Sequence, residues 1–327
     1  MITVITGASG SGKSVFAEQY SVERWNKQKQ IQTNTRLVYV ATMKVFGEEG
    51  KQKVERHRRQ REGKGFELIE QEVDIGTIDG IEKNDIVLVE CLSNLLANEW
   101  YSDTMKEISK KDVVKKILDG LQQLHEMCTH MIVVTNEIFQ EQLIWEDGKD
   151  YVESLGQLNQ ILCQKAENVY EVVAGIPMEL TKKKEENQVE KNGRIVVLGG
   201  AYQGKRNWVR SKWNQIEETE MKRWIATERN DEQWCMIVDC NQYIKQQLKQ
   251  SDLDKEESVQ TIRKQIRQRW NNANNVIVII DEIGYGLVPL EKKDRIYREL
   301  MGRVTCDLVE EATHVYRLIG GISVQLK

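Results

Sequence analysis

The stretch Gly7-Ala8-Ser9-Gly10-Ser11-Gly12-Lys13-Ser14 fits the pattern G-x-x-x-x-G-K-S/T, and its flanks constrain the fold. Ile2 to Thr6 is a β-branched run that reads as a buried strand. Val15 onward has the apolar spacing of a helix. A strand, a glycine-rich loop and a helix in that order turn backbone N–H groups inward around phosphates. Lys13 is then placed to reach the β/γ-phosphates, and the Ser14 hydroxyl to ligate Mg²⁺. The alternative is a glycine-rich turn that binds nothing, and the complete motif with both flanks weighs against it.

Strand-like runs alternate with helical stretches through the first half. The runs are 36–41 (RLVYVA), 85–90 (DIVLVE), 130–135 (HMIVVT) and 168–173 (NVYEVV), with helices expected over 113–125 and 152–167. Short continuous apolar strands between helices predict an α/β fold with a mostly parallel sheet covered on both faces.

The chain has 327 residues, more than one average domain, so two domains are expected. A net charge of −4 argues against bulk nucleic-acid binding. The six cysteines form no C-x-x-C pair and sit mostly in apolar stretches, the usage of reduced thiols in a cytoplasmic protein. No apolar run reaches membrane-spanning length, and with a strand opening at residue 2 no leader peptide is expected.

Residues 183–193 are polar and charged, with almost nothing to bury, and read as a linker between domains 1–182 and 194–327. Beyond it the pattern restarts. Arg194 to Leu198 is a strand, and Gly199-Gly200-Ala201-Tyr202-Gln203-Gly204-Lys205-Arg206 keeps the glycine and lysine spacing but replaces the serine by arginine. Ile237-Val238-Asp239-Cys240 echoes Leu88-Val89-Glu90-Cys91. Ile279-Ile280-Asp281-Glu282 echoes Val134-Thr135-Asn136-Glu137, and 312–322 echoes 166–176. Landmarks repeated in the same order indicate an internal duplication. The second copy is shortened between its loop helix and the Asp239 strand.

The interval that the second copy lacks contains His57, set among Arg56, Arg58, Arg59 and Arg61. Neighbouring cations favour the neutral imidazole. A neutral imidazole among guanidinium groups suits attack on a phosphate, because the cations offset charge developing on the phosphoryl oxygens. A solvated basic helix with an incidental histidine explains the same residues equally well.

Several short motifs in order carry a resemblance: the G-x-x-x-S-G-K-S loop, Tyr39-Val40-Ala41-Thr42, His57-Arg58-Arg59-Gln60-Arg61 with Glu70 downstream, Leu88-Val89-Glu90-Cys91-Leu92 with Asn94, Val134-Thr135-Asn136-Glu137, and Gly156-Gln157-Leu158-Asn159-Gln160. Residues 1–180 resemble the family of bifunctional adenosylcobinamide kinase/adenosylcobinamide-phosphate guanylyltransferases. The resemblance implies a P-loop, RecA-like fold in two tandem copies, the second degenerate. It implies ATP and GTP as substrates, a corrinoid as the small-molecule partner, and His57 as the residue that takes up GMP. It also assigns nucleotide contacts to Gly7 to Ser14 with catalytic Lys13, to Ala41, Thr42 and Met43, to Arg58, Arg59, Gln60 and Arg61, and to Glu70 and Glu90. Glu90 keeps two readings, a nucleotide contact or a hold on Mg²⁺ beside Ser14.

The chain departs from the family where T-N-E is normally followed by a glycine-rich turn ending in proline. Here Ile138 to Gln142 lack it, whereas the second copy has Gly284-Tyr285-Gly286-Leu287-Val288-Pro289. Complementary losses of this kind predict a corrinoid site shared between tandem copies or between subunits of a homo-oligomer. Arg206 leaves two readings for the second loop, phosphate binding without turnover or no nucleotide at all. A P-loop kinase without a covalent intermediate, or a regulatory nucleotide-binding protein, are the functional alternatives. His125, His130 and His314 have no ligand-like spacing and read as structural.

Overall fold

The computed structural model describes residues 1–8, 11–44, 55, 59, 61–102, 110–137, 146–173, 175–180, 192–226, 233–250, 256–283 and 291–327. His57, Arg58 and Gln60, the departing segment 138–142, the glycine-rich turn from 284 and the linker up to 191 lie outside these residues. Leaving aside 139–143, which are not among the described residues, the chain divides into two compact units, 1–181 and 182–327.

The sheet of unit 1 has seven strands. They are β1 (Ile2–Thr6), β2 (Leu37–Ala41), β3 (Phe66–Glu70), β4 (Ile86–Glu90), β5 (His130–Val134), β6 (Asn168–Val173) and β7 (Ile176–Glu179), in the spatial order β3-β2-β4-β5-β1-β6-β7. All pairings are parallel except the β6–β7 hairpin. Strands β1, β4 and β5 are buried along their whole length, which is why they read as continuous apolar runs. β5 separates the loop strand β1 from β4, the RecA-like order. Helices α1 (Lys13–Ile31), α2 (Leu92–Trp100), α3 (Lys110–Met127) and α4 (Glu146–Lys165) cover the faces. On α3, Val113, Ile117, Leu121 and Leu124 form one buried stripe at helical spacing. Burying each such side chain contributes about 1.5–3 kcal/mol.

Two strands begin one residue later than their sequence pattern suggests. Arg36 and Asp85, just before β2 and β4, form an ion pair at 2.5 Å. Asp85 is fully buried, and this bond raises the pKa of Arg36.

Unit 2 repeats the plan with six strands. They are β8 (Gly193–Gly199), β9 (Glu217–Glu220), β10 (Cys235–Val238), β11 (Asn275–Asp281), β12 (His314–Ile319) and β13 (Ile322–Gln325), ordered β13-β12-β8-β11-β10-β9. Its helices are α5 (Lys205–Lys212), α6 (Met221–Ala226), α7 (Cys240–Gln250), α8 (Glu256–Asn272) and α9 (Lys292–Glu311). β9 stands where unit 1 has β2, and nothing among the described residues stands for β3. β8 starts at Gly193, one residue inside the stretch assigned to the linker, because the Gly193 N–H already donates to the Asn274 carbonyl at 2.9 Å.

Candidate active site in unit 1

The site is built on the carboxyl edge of the parallel strands, where β1 turns into α1. Gly7 leaves β1 at φ 152, and a Cβ there would lie 2.6 Å from the Val172 carbonyl and 2.7 Å from Ser11 Oγ. Gly12 closes the loop at φ 90, ψ 2 as the N-cap of α1, and its missing Cβ would meet Gly175 Cα at 3.1 Å. Both glycines are therefore required by backbone geometry, not only by pattern. Ser9 and Gly10 lie outside the described residues. The Ser11 N–H donates to the Ala8 carbonyl at 3.1 Å, and the Gly175 N–H donates to the Ser11 carbonyl at 2.8 Å, so the β6–β7 turn braces the loop. Lys13 is 7% exposed, and its ammonium donates to the Ala8 carbonyl at 3.0 Å. Ser14, half-buried, is the second residue of α1.

The strand register brings the acidic residues into one row. Ala41 pairs with Glu70 on β3 and with Glu90 on β4, and Glu90 pairs with Val134 on β5. Glu70 is exposed at the end of the row, whereas Glu90 is 9% exposed. The Tyr39 hydroxyl donates to Glu90 Oε2 at 3.1 Å, and the Arg61 guanidinium lies 3.7 Å from the centre of the Tyr39 ring. Burial first, then the charge of Glu90, raise the pKa of Tyr39, so its hydroxyl stays a donor. Arg61 thus enters the site through a ring contact that the sequence does not announce. Arg59 is exposed and pairs with Glu55 at 3.0 Å.

Thr42, fully buried, is bonded three ways. Its N–H donates to the Glu90 carbonyl at 3.0 Å, its hydroxyl to the Cys91 carbonyl at 2.8 Å, and its own carbonyl accepts from the Asn98 amide at 2.7 Å. Met43 follows, half-buried. Together these bonds fix the exits of β2 and β4 side by side.

A polar network beside the loop was not assigned a role from sequence. The Asn136 amide donates to Ser93 Oγ at 2.5 Å, and Ser93 Oγ lies 3.1 Å from Cys91 Sγ. The Thr135 hydroxyl donates to Asn159 Oδ1 at 2.6 Å, and the Asn159 amide donates to the Asn136 carbonyl at 3.1 Å. The Tyr151 hydroxyl donates to the Ser93 carbonyl at 2.8 Å. Burial raises the Cys91 thiol's pKa, so Cys91 is a packed thiol rather than a thiolate. The network joins the ends of β4 and β5 to α2 and α4.

Glu18 was also missed. It is 1% exposed on α1, with Oε2 2.6 Å from the Lys64 ammonium and Oε1 without a hydrogen-bond partner among the described residues. Ser14, Glu18, Ser21 and Trp25 fall on one face of α1, and Trp25 lies 3.1 Å from where a Gly65 Cβ would stand. The sequence signal was a carboxylate at a core-facing helical position, which demands a partner. His130 is buried and structural: Nε2 lies 2.8 Å from Thr3 Oγ1, and Tyr20 packs edge-on against its ring.

The family model for cobinamide kinase/cobinamide phosphate guanyltransferase, CobU, matches residues 3–180 and 195–326. The chain belongs to this family. The two matched segments fall in the two structural units, so the protein is a tandem pair of family domains. The bifunctional adenosylcobalamin biosynthesis protein CobU of Escherichia coli K12 is 24% identical over 196 residues, covering 55% of this chain and 99% of that protein. The bifunctional adenosylcobalamin biosynthesis protein CobP of Pseudomonas aeruginosa PAO1 is 28% identical over 182 residues, covering 55% of this chain and 97% of that protein. Each relative thus corresponds to little more than half of this chain. No helix among the described residues is long and apolar enough to cross a membrane.

Proposed function

We propose that unit 1 is a cytoplasmic adenosylcobinamide kinase and adenosylcobinamide-phosphate guanylyltransferase. The observation that carries this is the loop: two glycines with required positive φ and a buried lysine at the carboxyl edge, beside Glu90 held by Tyr39. In the kinase step the loop N–H groups cradle the phosphates of ATP or GTP, and Lys13 leaves the Ala8 carbonyl for the β/γ oxygens. The aminopropanol hydroxyl of adenosylcobinamide attacks the γ-phosphorus and gives its proton to solvent, the bond to the bridging β–γ oxygen breaks, and the nucleoside diphosphate leaves. Ser14 and Glu90 offer hard oxygen donors, which fit Mg²⁺; the ion would neutralise phosphate charge there.

In the second step a His57 imidazole nitrogen attacks the α-phosphorus of GTP and pyrophosphate leaves. A phosphate oxygen of the phosphorylated corrinoid then displaces the histidine, giving adenosylcobinamide-GDP and restoring the imidazole. Arg58, Arg59 and Arg61 offset the phosphate charge, and Ala41, Thr42, Met43, Gln60 and Glu70 contact the nucleotide. The test is intact mass after incubation with GTP. One added GMP is expected on the full chain, and none on His57→Ala. An adduct that survives in His57→Ala overturns the assignment, and no adduct on the unaltered chain leaves a P-loop kinase alone.

A further inference from the structure

The loop of unit 2 repeats the backbone of the loop in unit 1. Gly199 has φ 148, and its missing Cβ would lie 2.5 Å from the Leu318 carbonyl; Gly204 has φ 80 and caps α5. The side chains have been rearranged around that shared backbone. Lys205 is 5% exposed, donates to the Gly199 and Gly200 carbonyls at 3.0 and 2.6 Å, and sits 2.5 Å from Asp281 Oδ1. Arg206, in the place of the metal-binding hydroxyl, donates to Asp239 Oδ1 at 3.0 Å and lies 3.6 Å from Glu218. Arg210 also pairs with Glu218. Gln203 Oε1 accepts the Gly320 N–H at 2.5 Å, and Glu282 pairs with Arg317 at 2.9 Å.

The matching positions of unit 1 are chemically different. Asn136, a neutral amide bonded to Ser93, stands where unit 2 has Asp281. Glu90, bonded to Tyr39, stands where unit 2 has Asp239. In unit 2, then, Asp281, Asp239 and Glu218 serve cations of the helix that follows the loop, and Glu282 serves Arg317 on β12.

We infer that unit 2 holds a latent polyphosphate site latched by Asp281. The carboxylate occupies the place of a phosphate on Lys205, and the loop takes no nucleoside triphosphate while it is there. An incoming triphosphate would have to break the Lys205–Asp281 pair. It would then lie close to the carboxylates of Asp281, Asp239 and Glu218, which repel it as like charges. Removing the Asp281 charge while keeping Lys205 leaves a buried ammonium on a glycine loop with the backbone shape of the loop in unit 1, which suits an anion.

The experiment titrates the full chain with inorganic tripolyphosphate and Mg²⁺ by calorimetry, in a Lys13→Ala background that silences the loop of unit 1. That chain is expected to show no site that a further Lys205→Ala change removes. Adding Asp281→Asn is expected to create one site, at least about tenfold tighter than any residual binding, which Lys205→Ala abolishes again. Asp281→Ser, which leaves more room, is expected to behave alike, and far-ultraviolet melts check that each variant folds. A Lys205-dependent site in the Lys13→Ala chain overturns the inference without any change at Asp281. Folded Asp281 variants that bind no tripolyphosphate overturn it as well. Because assignment goes through Lys205, failure of the functional proposal for unit 1 leaves this test unaffected.

Discussion

Replacing Tyr39 by phenylalanine removes one oxygen from unit 1 and keeps the ring under Arg61. That oxygen is the buried donor to Glu90, at 3.1 Å, and Glu90 is 9% exposed. A hydrogen bond to a charged group contributes about 1.5–3 kcal/mol, and its loss strands the carboxylate in a site with little water to replace it. About 2 kcal/mol corresponds to about a 30-fold change in rate where the lost contact supports the reacting geometry. On the proposed reading, Glu90 is held ready for the nucleotide, so the first-order rate of GMP adduct formation should fall by that factor at saturating GTP. Tyr39→Leu also removes the ring contact 3.7 Å from Arg61, at about 1 kcal/mol more, or about fivefold. The assay is a single-turnover time course read by intact mass, with thermal melts alongside. A Tyr39→Phe rate within about twofold of the unaltered chain would refute the reasoning, because Glu90 would then not depend on this donor.

Gly12→Ala should weaken nucleotide binding and cost about 1–3 kcal/mol of unit 1 stability, because φ 90 and the Gly175 backbone at 3.1 Å leave no room for a methyl group; calorimetry with GTP and a melt measure the two effects. Lys13→Ala should abolish both transfer steps, whereas Lys205→Ala should leave kcat within about twofold and lower the melting temperature of unit 2 by removing the partner of Asp281; steady-state rates and calorimetry separate them. Burial lowers the pKa of His130 from an ordinary 6.5 to about 4, so the unfolded chain binds the extra proton first. Stability from this group is complete above pH 6.5 and lost as pH falls towards 4, by up to about 3 kcal/mol; urea titrations across that window should show the slope, and His130→Gln should flatten it.

What the sequence made legible was whatever the backbone or a two-sided core demanded. Gly7 and Gly12 could be read because only glycine takes their φ values against Val172 and Gly175. The central strands could be read because burial on both faces requires unbroken apolar runs. Edge strands escaped for the opposite reason. β9 is Glu217-Glu218-Thr219-Glu220, a sequence of poor strand propensity that is held by its backbone pairing to β10. β3, Phe66 to Glu70, is half exposed and forms no continuous apolar run, yet it carries Glu70 into register with Ala41 and Glu90. Within the site, Glu90 was legible from its position at a strand end. Its dependence on Tyr39, the stacking of Arg61 and the Glu18–Lys64 pair were not, since each joins residues that no local spacing relates.

On the inference drawn for unit 2, the two units differ as a nucleotide loop that keeps its ligand and one that has lost it without losing its fold. A phosphate loop concentrates N–H dipoles and a buried ammonium, an arrangement that an anion stabilises. In a binding unit the anion arrives with the substrate, and the neutral side chains of Ser14 and Asn136 leave the position open to it. In unit 2 the chain supplies the anions: Asp281 to Lys205, and Asp239 with Glu218 to Arg206. The exchange extends one strand further, where Glu171 of unit 1 is matched by Arg317, which pairs with Glu282. Substitutions that merely decayed after loss of function would scatter in sign. These pair acid with base at the loop and on the strands beside it, as expected where side-chain charge stands in for that of a phosphate.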